Sequence, residues 1–305
     1  MLHKEVFIMA DRFDVKGSIV ALITPFHEDG SINFEKLEEL LEFHIANKTD
    51  GILVLGTTSE SPTFTWEEDF EIVKRSVEVC KGRIPLIVNA GSNDTRTSFE
   101  KAERFTKAGA DALLCISPYY NKANKAGLYH HIADVADSVD IPVIIYNIPG
   151  RTGGINISME TYKTLAKHKN IVGVKEASGN MSYTTKLIAE CGDILDIYSG
   201  NDDMTVAMMS LGAKGVISVL SNIMPKETHD MTQYCLDGNF KEASKMQLEY
   251  LELINDLFIE VNPIPVKEAM NLMKVPSGPC RLPLCEMEAA NLEKLKASMK
   301  KHSLI

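Results

Sequence analysis

The chain has little that would hold it together covalently or bind it to a metal. Its six cysteines, Cys80, Cys115, Cys191, Cys235, Cys280 and Cys285, form no Cys-x-x-Cys pair and are scattered through 305 residues. That argues against a disulfide framework or a zinc site and predicts reduced thiols in the cytoplasm. The eight histidines make no ligand spacing with carboxylates, and the adjacent pair His130 and His131 would point apart on a helix. No apolar run reaches the roughly 20 residues that span a bilayer. The N-terminal stretch MLHKEVFIMADRFD is too short and too charged for a secretory leader. Positive charge is in deficit, with 32 Lys and Arg against 42 Asp and Glu and a formal charge of −10. Nucleic acid is therefore repelled on average. The basic residues Lys294, Lys296, Lys300 and Lys301 read as the solvated side and C-terminal end of a last helix.

What is present is an ordinary globular composition, 45% hydrophobic and 24% charged. Short runs rich in Val, Ile and Leu lie at 18–24, 51–56, 84–90, 112–117, 142–148, 171–177, 196–200 and 215–220. They are nearly continuous in apolar character, which suits parallel strands buried on both faces. Between them, 33–48, 66–80, 95–108, 125–139, 158–167 and 181–191 carry helical stripes, with Thr65 as a start signal and Gly109 as a stop. Eight strand–helix units predict a (β/α)8 TIM barrel over 14–236. A doubly wound sheet is the alternative, but the first strand ends Ile23-Thr24-Pro25-Phe26, without a Gly-rich phosphate loop. After about 236 the pattern is helical, through 239–260, 266–273 and 287–298. This predicts a C-terminal helical extension over 237–305, with 1–13 as an N-terminal segment.

A barrel of this kind works at the C-terminal ends of its strands. The sixth run ends Gly173-Val174-Lys175-Glu176. If Lys175 faces the interior, burial disfavours its charge, and a neutral amine can attack a ketone to form an imine. A solvated lysine in the following loop is the other reading, and the segment alone favours it. The fifth run ends Tyr146-Asn147-Ile148-Pro149-Gly150-Arg151. Tyr146 could move protons beside the lysine, or be a core tyrosine with its hydroxyl bonded. Arg151, after a Pro-Gly turn, could clamp a carboxylate or make a surface ion pair. The second run ends Gly56-Thr57-Thr58-Ser59-Glu60, which suits an anion-binding turn or an ordinary Thr/Ser-rich one. The fourth ends Ser117-Pro118-Tyr119-Tyr120-Asn121, for which neither loop packing nor a proton relay wins locally.

Taken in order, GTTSE at 56–60, SPYYN at 117–121, YNIPGRTG at 146–153 and VGVKEASGN at 172–180 resemble the dihydrodipicolinate synthase/N-acetylneuraminate lyase family of class I aldolases. SGNDD at 199–203, GVISVLSN at 215–222 and NPIPVKEAM at 262–270 extend the resemblance over nearly the whole chain. The resemblance implies that Lys175 forms an imine with pyruvate. It implies that Tyr146 shuttles protons and that Thr58 links it to Tyr120, lent across a tight dimer interface. It gives the pyruvate carboxylate to the N–H groups of Thr57 and Thr58, a nearby backbone contact to Ile217, and the wall of the cavity to Gly200. Arg151 in YN-x-P-x-R-T implies a carboxylate on the second substrate, L-aspartate 4-semialdehyde. A lyase acting on sialic acid or another sugar-acid or hydroxy-oxoglutarate aldolase is the alternative, and a non-catalytic scaffold a lesser one.

By the same resemblance the imine is the electron sink, so no cofactor or metal is expected. The assembly is expected to be a homotetramer, a dimer of tight dimers, with no nucleic-acid or membrane partner. The chain departs from the family pattern at Ser59, where a glycine is usual, and in the turn Asn89-Ala90-Gly91-Ser92-Asn93. A glycine at 59 would permit positive φ, so serine is expected to reshape the carboxylate turn.

Overall fold

Each of the eight apolar runs forms a parallel strand. In a computed structural model describing residues 13–275 and 277–305, these are β1 (Gly17–Ala21), β2 (Gly51–Val54), β3 (Leu86–Asn89), β4 (Ala112–Ile116), β5 (Val143–Asn147), β6 (Ile171–Glu176), β7 (Asp196–Ser199) and β8 (Gly215–Ser218). They close in sequence order into a barrel, with β8 pairing back onto β1. Apart from Phe13, the N-terminal segment expected over 1–13 lies outside the described residues. The helices of the barrel are α1 (Phe34–Ala46), α2 (Trp66–Cys80), α3 (Thr95–Ala108), α4 (Lys125–Asp137), α5 (Met159–Leu165), α6 (Met181–Cys191), α7 (Thr205–Ser210) and α8 (Pro225–Leu236). Beyond them run α9 (Phe240–Glu249), α10 (Leu251–Asp256), α11 (Ile264–Leu272) and α12 (Ala289–Lys301).

Side-chain oxygens start most of the barrel helices. Asn33, Asp94, Asn124, Ser158 and Asn180 each accept an orphan backbone N–H of the first turn, and Thr65 with Glu68 forms a reciprocal capping box on α2. Gly109 closes α3 in the left-handed region at φ 106°. Strand parity divides the core in two. Ile19, Leu53, Leu114, Tyr146 and Tyr198 fill the barrel interior, while their neighbours Val20, Ile52 and Val54 pack outward against the helices.

Two expectations need correction. The helix expected over 239–260 is two, α9 and α10, broken at Tyr250. The break lets α9 lie against α8 while α10 turns to meet α12. The helix expected from 266 begins at Ile264, because proline is compatible with a first turn, where its missing N–H costs nothing. Leu253, Val266, Met270 and Leu295 join the same hydrophobic cluster as the outer faces of the strands, so the last helices share the core of the barrel.

Barrel closure depends on bare backbone. A Cβ on Gly215 would lie 2.0 Å from the carbonyl oxygen of Gly17, its partner on β1. Gly215→Ala must therefore push β8 away from β1. We expect a loss of about 4 kcal/mol or more, the range reserved for disrupted packing, seen as a lower denaturant midpoint or loss of soluble protein. Gly238→Ala, in open space at φ +77°, should cost only about 1 kcal/mol, from the strained φ alone.

Candidate active site

Parity and register bring the reactive groups together. Lys175 is paired in register with Tyr146 on β5 and Tyr198 on β7, so all three side chains enter the barrel at one level. Gly173, two residues before Lys175, makes room for this. A Cβ there would meet the Asp196 carbonyl oxygen at 2.6 Å and the Tyr198 ring at 3.4 Å. Above them opens a cavity of about 340 Å³, bordered by Thr57, Glu60, Tyr146, Arg151, Lys175 and Asn262. It lies at the C-terminal end of the strands, where barrels of this kind carry their chemistry.

Lys175 is buried, only 6% exposed. Its ammonium sits 4.5 Å from the centre of the Tyr146 ring. Among the described residues no carboxylate lies within ion-pair distance of it. Burial pulls its pKa down to about 8; Asp202 pulls it back up and the Arg151 cation pushes it further down. At pH 7.5 about a quarter of such amines are neutral, against roughly one in a thousand for an ordinary lysine. The solvated-lysine reading is thereby set aside. Tyr146 is buried too, and burial pushes its phenol up to about 12. It stays protonated near neutrality and is a donor.

Thr57 borders the cavity with Tyr146 and opposes the burial shift of its phenol. Thr58, expected to link Tyr146 onward, does not border the cavity. The Thr58 side chain is turned the other way, where its Oγ1 accepts from Asn262 Nδ2 at 3.0 Å. Of the two threonines, Thr57 alone borders the cavity. Ser59 does not reshape the turn in the way expected. The left-handed positions are Leu55 (φ 58°) and Glu60 (φ 62°), whereas Ser59 needs no positive φ and donates its hydroxyl to the Leu22 carbonyl at 2.7 Å. Among the described residues, no protein acceptor takes the N–H of Thr57 or Thr58. Two such donors at a strand end are a ready anion site.

Arg151 stands on the rim after the Pro149-Gly150 turn. Its one hydrogen bond from the guanidinium is a long one, 3.4 Å to the Asn262 carbonyl, and it has no acidic partner among the described residues. The surface ion pair considered for it is absent there. Gly200 lies against the lysine, since a Cβ would be 3.2 Å from Lys175 Cε and 2.6 Å from Ala177 Cβ. Ile217 is buried in the barrel interior, facing Ile19 across the β1–β8 pair, and its side chain does not border the cavity. Tyr120 is not brought into the cavity of its own chain. It is 92% exposed and left-handed at φ 64°, while its neighbour Tyr119 borders the cavity.

Four residues of the site had no role in the sequence reading. Glu60 is buried beneath the cavity floor in an ion pair with Lys267 of α11 at 2.9 Å, and its second oxygen accepts the Arg281 N–H at 2.8 Å. Asn262, just before α11, holds Thr58. Asp202, after β7, is fully buried, accepts from the N–H groups of Val219 and Leu220 at 2.9 and 3.1 Å, and has its carboxyl raised by that burial. For Asn262 and Lys267 the signal in the sequence was their place in the mostly apolar segment NPIPVKEAM.

Comparison with known proteins agrees with this geometry. The model of the dihydrodipicolinate synthetase family matches residues 14–302. A 4-hydroxy-tetrahydrodipicolinate synthase of Clostridium perfringens is 51% identical over 290 residues, 95% of this chain and 99% of that one. The crystal structure of dihydrodipicolinate synthase from Aquifex aeolicus superposes with a TM-score of 0.92 at 44% identity, covering 95% of this chain and 98% of that one. The chloride-inhibited dihydrodipicolinate synthase of Acinetobacter baumannii, complexed with pyruvate, gives 0.93 at 38% identity, covering 95% and 100%.

The two threonines separate cleanly by mutation. Thr57→Val should lower kcat at least tenfold, a positioned proton-transfer group itself contributing about 100–10,000-fold. Thr58→Val should leave kcat within about threefold and reduce stability by about 1 kcal/mol, through the unpaired Asn262 amide. Equal losses of kcat in both would return the relay to Thr58.

Proposed function

Because this chain belongs to the dihydrodipicolinate synthetase family, we propose that it acts as a 4-hydroxy-tetrahydrodipicolinate synthase, condensing pyruvate with L-aspartate 4-semialdehyde through an imine at Lys175 on the way to diaminopimelate and lysine. The observation that carries this reading is a buried lysine that has no ion-pair partner among the described residues, beside a buried tyrosine and near an arginine that has no acidic partner among them either.

The chemistry follows from the groups present. Pyruvate enters with its carboxylate on the Thr57 and Thr58 N–H groups, which places its keto carbon over Lys175. The neutral amine adds to that carbon, and the carbinolamine oxygen leaves as water after taking a proton from Tyr146. The protonated imine draws electrons from the adjacent methyl carbon. Loss of a proton there, through Tyr146 and Thr57, gives an enamine that attacks the aldehyde carbon of the second substrate. The α-amine of that substrate then displaces Lys175 and closes the ring. Arg151 holds the second carboxylate, with a planar fork that fits both oxygens. Tyr120 reaches the Thr57–Tyr146 pair of a neighbouring copy, so the working unit is at least a tight dimer, assembled in pairs into a tetramer in the cytoplasm. Its near-complete exposure on the isolated chain supports this role.

The decisive assay couples the condensation to dihydrodipicolinate reductase and follows NADPH loss. Turnover should vanish in Lys175→Ala. In Arg151→Ala, kcat/KM for the semialdehyde should fall about 100-fold or more, the cost of losing a bidentate charged contact of roughly 3 kcal/mol, with KM for pyruvate little changed. Absence of turnover, with borohydride still trapping pyruvate on Lys175, would move the aldehyde specificity elsewhere in the family.

The pH dependence has a definite sign. The nucleophile is the deprotonated amine, so kcat/KM for pyruvate should rise about tenfold per unit below the Lys175 value of about 8 and level off above it. Gly200→Ala would crowd the lysine stem and should distort this profile. A wild-type limb with no inflection between pH 7 and 9 would mean that Lys175 is not the group attacking in its free form.

A further inference from the structure

Cys280 and Cys285 flank a tight turn at the mouth of the substrate cavity. The Leu284 N–H donates to the Arg281 carbonyl at 3.0 Å, closing a four-residue turn over 281–284. Residues at the two ends of such a turn lie within about 7 Å, and Cys280 and Cys285, just outside it, are near enough for the charge of Cys285 to raise the Cys280 pKa. Both thiols border one cavity of about 230 Å³, shared with Lys267 and Leu284. Cys285 is exposed and Cys280 half-buried, whereas the other four cysteines, Cys80, Cys115, Cys191 and Cys235, are buried singly.

We propose that Cys280 and Cys285 are a site of reversible oxidation, converted by a hydroperoxide into an intramolecular disulfide across the 281–284 turn. The exposed Cys285 sulfur attacks the peroxide oxygen, becoming a sulfenic acid and releasing water or an alcohol. The Cys280 sulfur then attacks that sulfur and expels a second water, so two thiols lose two electrons and two protons to one peroxide. Burial holds the Cys280 thiol up at about 12, which makes Cys285 the first sulfur to react.

The turn between them is part of the substrate site. Pro283 and Leu284 border the Lys175 cavity, and Leu284 borders both cavities. Arg281 donates its N–H to Glu60 at 2.8 Å, its Nε to the Gly30 carbonyl at 2.7 Å and its guanidinium to Glu68 at 2.5 and 3.0 Å. A bond between the two sulfurs is expected to move Leu284, which borders both cavities, or Arg281, which bonds Glu60, and so to change pyruvate binding.

The full-length protein is treated with hydrogen peroxide and digested with trypsin without reduction. Cleavage after Arg281 separates the two cysteines, so a disulfide joins peptides 275–281 and 282–294. We expect this linked pair, an intact mass about 2 Da lower, and reversal by dithiothreitol. Cys285→Ser should give no linked pair and keep the activity of the reduced enzyme. Oxidation of Cys285 alone to a sulfinic acid, or no oxidation under conditions that modify an exposed control thiol, overturns the site. A second readout is the pyruvate concentration giving half-maximal borohydride trapping at Lys175, expected to shift at least threefold on oxidation and not in Cys285→Ser. An unchanged value in protein shown to be linked overturns the coupling. This arm rests on the proposed imine, whereas the peptide map does not.

Discussion

Everything at the mouth of this barrel depends on keeping one lysine, Lys175, buried and, among the described residues, without a close counter-ion. Among the described residues two lysines are buried, Lys175 and Lys267, each bordering its own cavity, and their environments are opposite. Lys267 has Glu60 at 2.9 Å and the Pro279 carbonyl at 2.6 Å, with its ammonium over the Phe26 ring. Burial lowers the pKa of both, but in Lys267 the adjacent Glu60 charge opposes the shift directly. Lys175 has only the more remote pull of Asp202. A buried charge without a partner is costly and yields by giving up its proton, which for an amine creates the nucleophile. The same expense in Lys267 fixes a structural joint, in Lys175 a chemical one.

That joint ties the appended helices to the site. Glu60 ends the turn after β2, and its two oxygens are held from one side by Lys267 on α11 and from the other by the Arg281 backbone. Asn262 holds Thr58 in the same way. The turn after β2 is bracketed by two left-handed non-glycine residues, Leu55 and Glu60, a conformation that persists only where the surroundings over-determine it. The surroundings here are supplied by residues more than 200 positions away in sequence. The C-terminal helices therefore belong to the anion site as much as β2 does.

This explains what could be read in the sequence and what could not. Eight near-continuous apolar runs carried the barrel, because parallel strands buried on both faces leave no other pattern. Lys175, Tyr146 and Arg151 were legible because they terminate those runs. Thr57 and Thr58 could not be told apart, since the bond that holds the Thr58 hydroxyl comes from Asn262, 204 positions away. Ser59 looked disruptive because a missing glycine suggests a lost positive φ, yet the strain is carried one residue later, at Glu60. The α7 and α8 helices left little mark, as the buried face of α8 includes Thr228 and Thr232, whose hydroxyls bond to the carbonyls of their own helix. The roles of Glu60 and Lys267 were invisible because an ion pair between residues 60 and 267 has no local signature.

The two cations at the site also impose an order on the proposed reaction. Arg151 pushes the Lys175 pKa down as long as it has no partner, which favours the neutral amine and hence attack on a ketone. Once the imine forms, the charge on that nitrogen must be stabilised, and an unpaired Arg151 now opposes it. A carboxylate arriving at Arg151 removes that opposition. The substrate that meets the amine should therefore come first and take its own carboxylate to the threonine turn, while the substrate that pairs with Arg151 should come second, when neutralising the arginine helps the iminium and no longer harms the nucleophile. Placing the arginine on the rim and the lysine at the floor gives the two anions separate seats, so the electrostatic change that would block the first step assists the later one.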